Sequence, residues 1–147
     1  MAILLEPIGI IHSPFTDSKE TPIQPIRSTT AGWIEIFPQF TAGLQDIEAF
    51  SHLYLIYHLH QQQEVRLLVT PFLDDQEHGV FATRHPARPN HIGMSLVRLT
   101  GRSENRLEIY GVDVFDGTPL LDIKPFVTDF DLRENVRMGW YETRAKK

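Results

Sequence analysis

Two polar stretches carry the side chains that could do chemistry. Residues 79–93, GVFATRHPARPNHIG, place Arg84, Arg88 and Asn90 between strand-like sequences. Residues 116–125, DGTPLLDIKP, add Asp116, Asp122 and Lys124 directly after the apolar pattern of residues 107–115. These groups bind rather than attack. An arginine fork grips a carboxylate or phosphate through two parallel bonds, an asparagine both donates and accepts, and a carboxylate accepts from hydroxyl or ammonium groups. Pro86 and Pro89 hold the first stretch extended and fix the directions of the polar side chains between them. Less ordering then remains to be done on binding. The expectation is that both stretches are loops and that together they form one pocket.

The chain has no cysteine, which removes disulfides, thiolate catalysis and cysteine-ligated metal sites and leaves histidine, carboxylate and arginine chemistry. One metal pattern survives that exclusion. His58, His60 and Glu64 have the HxHxxxE spacing with which cupin-type barrels surround a metal. The glycine frame of that motif is missing and no second histidine motif follows, so no metal is expected; a metal-dependent barrel enzyme stands as an alternative. No strand pattern leads into a glycine-rich turn and a long helix, so a Rossmann-type nucleotide site has no support.

The elements that must position these residues are mainly strands. Apolar residues recur with period two over residues 33–37, 53–59, 65–69, 96–99 and 107–114. Ser103-Glu-Asn-Arg106 joins two of these runs as a hairpin, and prolines punctuate the others. Short strands with frequent turns predict a small antiparallel β-barrel. Only residues 43–50 and the tail over 131–144 read as helical. At 147 residues the chain has the size of a single domain.

A net charge of −5 excludes a uniformly basic surface, yet Arg84, Arg88, Arg98, Arg102 and Arg106 fall in one stretch opposed only by Glu104. Such a patch is expected to meet a phosphate backbone, because neutralisation depends on where charges sit and not on their sum. Trp140, Tyr141 and the basic end over 144–147 offer a second place for nucleic acid, against the alternative that Trp140 packs on the barrel. No apolar run reaches the roughly 20 residues of a membrane span. The N-terminal residues are apolar without a basic leader and are interrupted by Glu6 and Pro7, so a cytoplasmic protein is expected.

Several motifs resemble the TsaA-like, or TrmO, family of tRNA methyltransferases. They are IGIIHSPF at residues 8–15, PIQ at 22–24, FSHLYLIYHLHQ at 50–61, GVFATR at 79–84, RPNHIG at 88–93, DGTP at 116–119 and DIKP at 122–125. The resemblance covers most of the chain up to about Pro125. It implies a compact antiparallel barrel, S-adenosyl-L-methionine as methyl donor, a homodimer with donor residues from both subunits, and tRNA as partner. The implied acceptor is the exocyclic nitrogen of threonylcarbamoyl-adenosine beside the anticodon.

Carried over position by position, the resemblance implies donor binding by Pro22, Ile23, Gln24, His60, Gln61, Arg84, Met94, Phe115, Asp116, Gly117 and Thr118. Arg84 suits the methionine carboxylate, Asp116 a ribose hydroxyl or the ammonium, and Gly117 close backbone approach. Arg88, Asn90 and Lys124 are the expected substrate contacts; Asn90 has the alternative of capping its own loop, and Lys124 that of pairing with Asp122. No catalytic base is assigned. Ile23 stands where the family has arginine, His85 where it has a small residue, and His91 where it has proline. A non-catalytic donor-binding module, or a methyltransferase with a different acceptor, is the other reading. By comparison with longer family members, no further C-terminal domain is expected.

Overall fold

The computed structural model describes residues 1–16 and 29–145. Strands β1 (Gly9–His12), β2 (Ala31–Ile36), β3 (His52–His58), β6 (Ile92–Ser103), β7 (Arg106–Tyr110) and β8 (Thr118–Pro125) close into a barrel in the order β1-β2-β7-β6-β3-β8. Every pairing is antiparallel. Closure leaves no edge for another chain to extend. Two short strands, β4 (Leu68–Val69) and β5 (His78–Gly79), form a separate ribbon.

The period-two runs become strands because alternate side chains enter one small interior. In β3 Leu53, Leu55 and Tyr57 point inward while His52, Tyr54, Ile56 and His58 stay partly exposed. Ile11, Ile34, Leu53, Leu107 and Leu120 are wholly buried and come from five different strands. Each such side chain contributes about 1.5–3 kcal/mol by leaving water. Ser103 pairs with Arg106 across the expected hairpin.

The antiparallel order sorts the connections to two ends. One end gathers the exit of β1, the exit of β3, the entry of β6, the exit of β7 and the entry of β8. The other holds the hairpin, the exit of β8 and two 3-10 turns, Pro38–Leu44 and Ile47–Ala49.

Five local expectations change. Residues 116–125 are not a loop, because β8 begins at Thr118 and Leu120 is completely buried. Pro119 and Pro125 sit near the strand's ends, where a missing N–H is tolerated. Residues 43–50 hold 3-10 turns broken by left-handed Asp46 (φ 71°), not one α-helix. The run 65–69 pairs only over Leu68–Val69, and the run 107–114 leaves the sheet after Tyr110, where Gly111 takes φ 93°. The tail forms two short helices, α1 (Thr128–Asp131) and α2 (Trp140–Ala145), with irregular chain between them.

Candidate functional site

The end where β3 exits and β6 enters brings together most of the expected site residues. His60 and Gln61 follow β3, Arg84, Arg88 and Asn90 lie in the segment leading to β6, Met94 is the third residue of β6, and Phe115, Asp116 and Gly117 lead into Thr118 of β8. Pro22, Ile23 and Gln24 lie outside the described residues. Lys124 is at the opposite end of β8, about 20 Å from Thr118 at strand rise, and its ammonium pairs with Asp122 at 3.2 Å.

The segment 79–93 is held by its own hydrogen bonds. Thr83 Oγ1 donates to Val80 O (2.9 Å) and accepts from His85 N (3.1 Å), and His85 Nδ1 accepts from Ala87 N (3.1 Å). Arg88 Nη1 donates to Thr83 O (2.8 Å) and His85 O (3.2 Å). Arg88 Nη1 therefore braces its own loop, while Nε and Nη2 make no hydrogen bond among the described residues. Asn90 and His91 both take positive φ, 67° and 49°, a conformation asparagine tolerates well. His91 Nε2 donates to Glu64 O at 2.8 Å, tying the loop to the segment after β3. Arg84 is exposed and makes no hydrogen bond or ion pair among the described residues, although it lies close enough for its charge to act on Tyr57 and Asp113.

The DGTP turn is locked to the end of β1. Gly117 takes φ 84° at the third position of a turn in which Thr118 N (3.3 Å) and Thr118 Oγ1 (2.6 Å) both donate to Phe115 O. That is the position where a type II turn requires glycine. Asp116 Oδ1 accepts from Ser13 N at 3.1 Å and lies 3.2 Å from His12 Nδ1, while Ser13 Oγ donates to Val114 O at 2.6 Å. One Asp116 oxygen is thus structural. The space where a Cβ on Gly117 would stand is open, with no atom within 4 Å.

Beneath these loops, inside the barrel mouth, lies a chain of polar groups that sequence reasoning missed. Ser95 Oγ donates to Asp113 Oδ1 at 2.7 Å, and the Tyr57 hydroxyl lies 2.7 Å from Ser95 Oγ. Ser95 has one proton and gives it to Asp113, so Tyr57 is the donor to Ser95. Burial pushes the Asp113 carboxyl up to about 6, against the lowering effects of Ser95 and Arg84. Burial, with the Asp113 charge, pushes the Tyr57 phenol up as well. The sequence signal was a carboxylate set between two inward-packing valines, Val112 and Val114.

The C-terminal helix clamps the outside of this end. Trp140 Nε1 donates to Ala82 O at 2.8 Å, and its ring stacks on His78 with centroids 5.1 Å apart. Arg144 Nε meets Asp74 Oδ1 at 2.6 Å and its fork also reaches Asp75. The His78 hydrogen bond (2.5 Å), backbone N–H groups and the Arg144 charge hold the Asp74 carboxyl well below the usual range. Trp140 and Arg144 are therefore committed to the fold and not to a nucleic acid.

Nor do the five arginines make one patch. β6 carries Arg98 and Arg102 progressively away from Arg84 and Arg88; Arg102 binds Glu48 and Leu44 O, each at 3.0 Å, and Arg106 pairs with Glu108 at 2.6 Å while covering Trp33. The expected phosphate surface is dispersed and partly neutralised. Among the described residues no three of His, Asp and Glu come together as metal ligands. Glu64 of the cupin-like spacing lies 3.5 Å from Arg66. A cleft of about 480 Å³ at the opposite end, lined in part by Phe40, Ile47, Phe50 and Asp122, contains none of the expected donor residues.

A closed six-stranded barrel whose one mouth combines an arginine unpaired among the described residues, a locked glycine turn and a half-buried carboxylate defines a β-barrel suited to a small ligand, not a Rossmann fold. The family model of the tRNA-methyltransferase O N-terminal domain matches residues 10–132, and the chain belongs to that family. A Pyrococcus abyssi protein named a probable S-adenosyl-L-methionine-binding protein is 55% identical, over 100% of this chain and 80% of its own length. The mouse tRNA (adenine(37)-N6)-methyltransferase is 36% identical over 91% of this chain and 33% of its own. The crystal structure of TrmO from Pseudomonas aeruginosa superposes with a TM-score of 0.80 at 37% identity, covering 97% of this chain. The chain spans 62% of that solved chain.

Proposed function

We propose that this protein transfers the methyl group of S-adenosyl-L-methionine to the exocyclic nitrogen of adenosine 37 in tRNA, with threonylcarbamoyl-adenosine as the acceptor nucleoside. The observation that carries the reading is the gathering of His60, Gln61, Arg84, Asp116, Gly117 and Thr118 from three separate segments at one barrel end. The names of the relatives supply the ligand.

The residues present fit the donor. The Arg84 guanidinium, unpaired among the described residues, suits the methionine carboxylate; the Asp116 oxygen not bound to Ser13 suits a hydroxyl or ammonium; and the space beside Gly117, open among the described residues, admits close approach. When bound, the donor supplies an electrophilic methyl group. The protein's own task is to align a nitrogen with it and exclude water. A loop braced by Arg88 and Thr83 and a turn braced by Ser13 and His12 hold these groups before any ligand arrives, which lowers the ordering cost of binding.

A homodimer belongs to the same reading. Ile92, Met94 and Leu96 make an outward strip along β6, 38%, 48% and 37% exposed, of the kind a second copy covers. Among the described residues no helix is long and apolar enough to cross a membrane.

Calorimetry of S-adenosyl-L-methionine on metal-free protein tests the donor. Incubation with tRNA from a strain lacking this methylation tests the acceptor, with the expected gain of one methyl on one nucleoside read by mass spectrometry. Donor binding without transfer to any tRNA points instead to a binding module, and absence of donor binding by the folded dimer overturns the proposal.

A further inference from the structure

We propose that Asp113 is the proton acceptor of the methyl transfer, held in place by Ser95 and Tyr57. The inference rests on the functional reading above and assigns the base that it leaves open.

The geometry singles out Asp113 from the titratable groups at this end of the barrel. His12 is bound to Asp116 through Nδ1 and stacked on Trp33 with centroids 4.0 Å apart, and its other nitrogen, Nε2, is buried 3.7 Å from Glu35, out of reach of a substrate. His85 uses Nδ1, its acceptor nitrogen, to receive Ala87 N. His91 donates through Nε2 to Glu64 O. Asp116 Oδ1 is tied to Ser13, and its second oxygen is assigned above to the donor. His58 and His60 have no hydrogen bond among the described residues that would orient them, and His58 points away from the interior that holds Tyr57.

Asp113 is both oriented and accessible in part, and no donor contact is assigned to it. Ser95 fixes Oδ1 from β6, Tyr57 fixes Ser95 from β3, and the Arg84 charge acts on the group from the 79–93 segment. Oδ2 makes no side-chain hydrogen bond among the described residues. Gly93 is what permits this arrangement, since a Cβ there would lie 2.4 Å from the Tyr57 ring.

Methylation of an N–H nucleophile must dispose of a proton. The nitrogen lone pair forms the new N–C bond, the electrons of the breaking C–S bond remain on sulfur, and the N–H proton passes to Asp113. A nitrogen acquiring a fourth bond is strongly acidic, so a carboxylate is a sufficient acceptor. Desolvation brings its proton affinity toward the operating pH, the condition for efficient general-base catalysis. Arg84 serves the same end by keeping a neighbouring positive charge that favours the ionised form before transfer.

The test combines Asp113→Asn and Ser95→Ala with three readouts: donor affinity by calorimetry, single-turnover methyl transfer against pH, and the titration of the Asp113 side-chain carboxyl by carbon NMR in the ligand-free protein. Asp113→Asn is expected to retain donor binding, to lose about 100-fold or more in transfer rate, and to lose the acidic limb of the pH profile. Ser95→Ala removes a bond that lowers the carboxyl's titration, so its acidic limb and its NMR midpoint both move to higher pH. Asp113→Asn with wild-type transfer overturns the assignment. So does loss of donor binding in parallel with transfer, which marks a donor contact. A folded wild-type protein that neither binds the donor nor methylates tRNA overturns the functional reading itself, whereas donor binding by Asp113→Asn shows that its loss of transfer is not misfolding.

Discussion

Tyr57 and Gly93 stand opposite each other in the β3–β6 pair, so close that a methyl group on residue 93 would lie 2.4 Å from a ring carbon. The absent side chain is what lets the ring lie flat against the strand and deliver its hydroxyl to Ser95. Gly93→Ala therefore has to push the ring off its site. Overpacking of this kind costs about 1–3 kcal/mol, and urea unfolding measures it. Tyr57→Phe keeps the ring and removes only the hydroxyl, at about 1 kcal/mol. A Gly93→Ala variant as stable as wild type shows that the packing relationship is not the one described.

Asp113 carries a stability cost whose sign follows from its titration. Folding raises its pKa from 3.8 to about 6. Between those values the folded protein holds a proton that the unfolded chain has released, so this group's contribution to stability falls as pH rises through the window. Above pH 6 the full cost applies, about 3 kcal/mol for a shift of this size. Asp113→Asn is expected to match wild type near pH 3.5 and to exceed it by up to that amount at pH 8. Thermal unfolding at the two pH values decides it. A variant that is less stable than wild type at pH 8 shows that Ser95 and Arg84 outweigh desolvation.

The barrel was legible because its interior is small and apolar. Alternation alone identified β2, β3 and the β6–β7 hairpin, and the burial patterns follow it. β8 was obscured by two prolines and three charged residues over 116–125, which locally look like turn chemistry. Its pairing with β1 and β3 is long-range and outweighs local preference. At the site, the sequence picked out arginines but not their partners. Arg88 was indistinguishable from Arg84 until the carbonyls of Thr83 and His85 were seen to receive it. Asp113 was hidden for the opposite reason, being a single carboxylate in an apolar run whose value depends on Ser95 and Tyr57, far away in sequence. The five-arginine stretch failed because a twelve-residue strand, β6, spreads its charges along the barrel.

The α2 clasp gives a pH response of its own. Asp74 is held below the ordinary carboxylate range chiefly by His78, so it stabilises the docked helix at neutral pH. That contribution is complete above the unfolded value of about 3.9 and is lost progressively as pH falls below it. Hydrogen exchange at residues 140–145 should therefore be slow at pH 7 relative to the intrinsic rate and approach it under strong acid, before the barrel strands open. Arg144→Ala should speed exchange at both pH values. Equal protection of α2 in Arg144→Ala and wild type removes the clasp.

Lys124 separates the two ends of the barrel. Its place beside Asp122, remote from the loops of the mouth, makes Lys124→Ala silent for donor affinity in calorimetry, and the surface pair it breaks contributes at most about 1 kcal/mol. A marked loss of donor affinity in this variant would place the ligand at the wrong end.

Arg84 and Arg88 should divide cleanly between binding and folding. Arg84 makes no hydrogen bond or ion pair among the described residues, so Arg84→Ala changes unfolding little and weakens donor binding by about 2 kcal/mol, the scale of a lost charge-assisted contact. Arg88 spends its guanidinium on two backbone carbonyls of its own loop, so Arg88→Ala leaves both without that donor and costs about 1–3 kcal/mol of stability. Its effect on donor affinity is indirect, through a loosened loop, and Arg88→Lys restores it only in part because an ammonium cannot reproduce the planar fork. Calorimetry and unfolding on the same preparations settle the division. Should Arg88→Ala prove fully stable while abolishing donor binding, the loop-bracing role is wrong and the arginine turns outward to ligand.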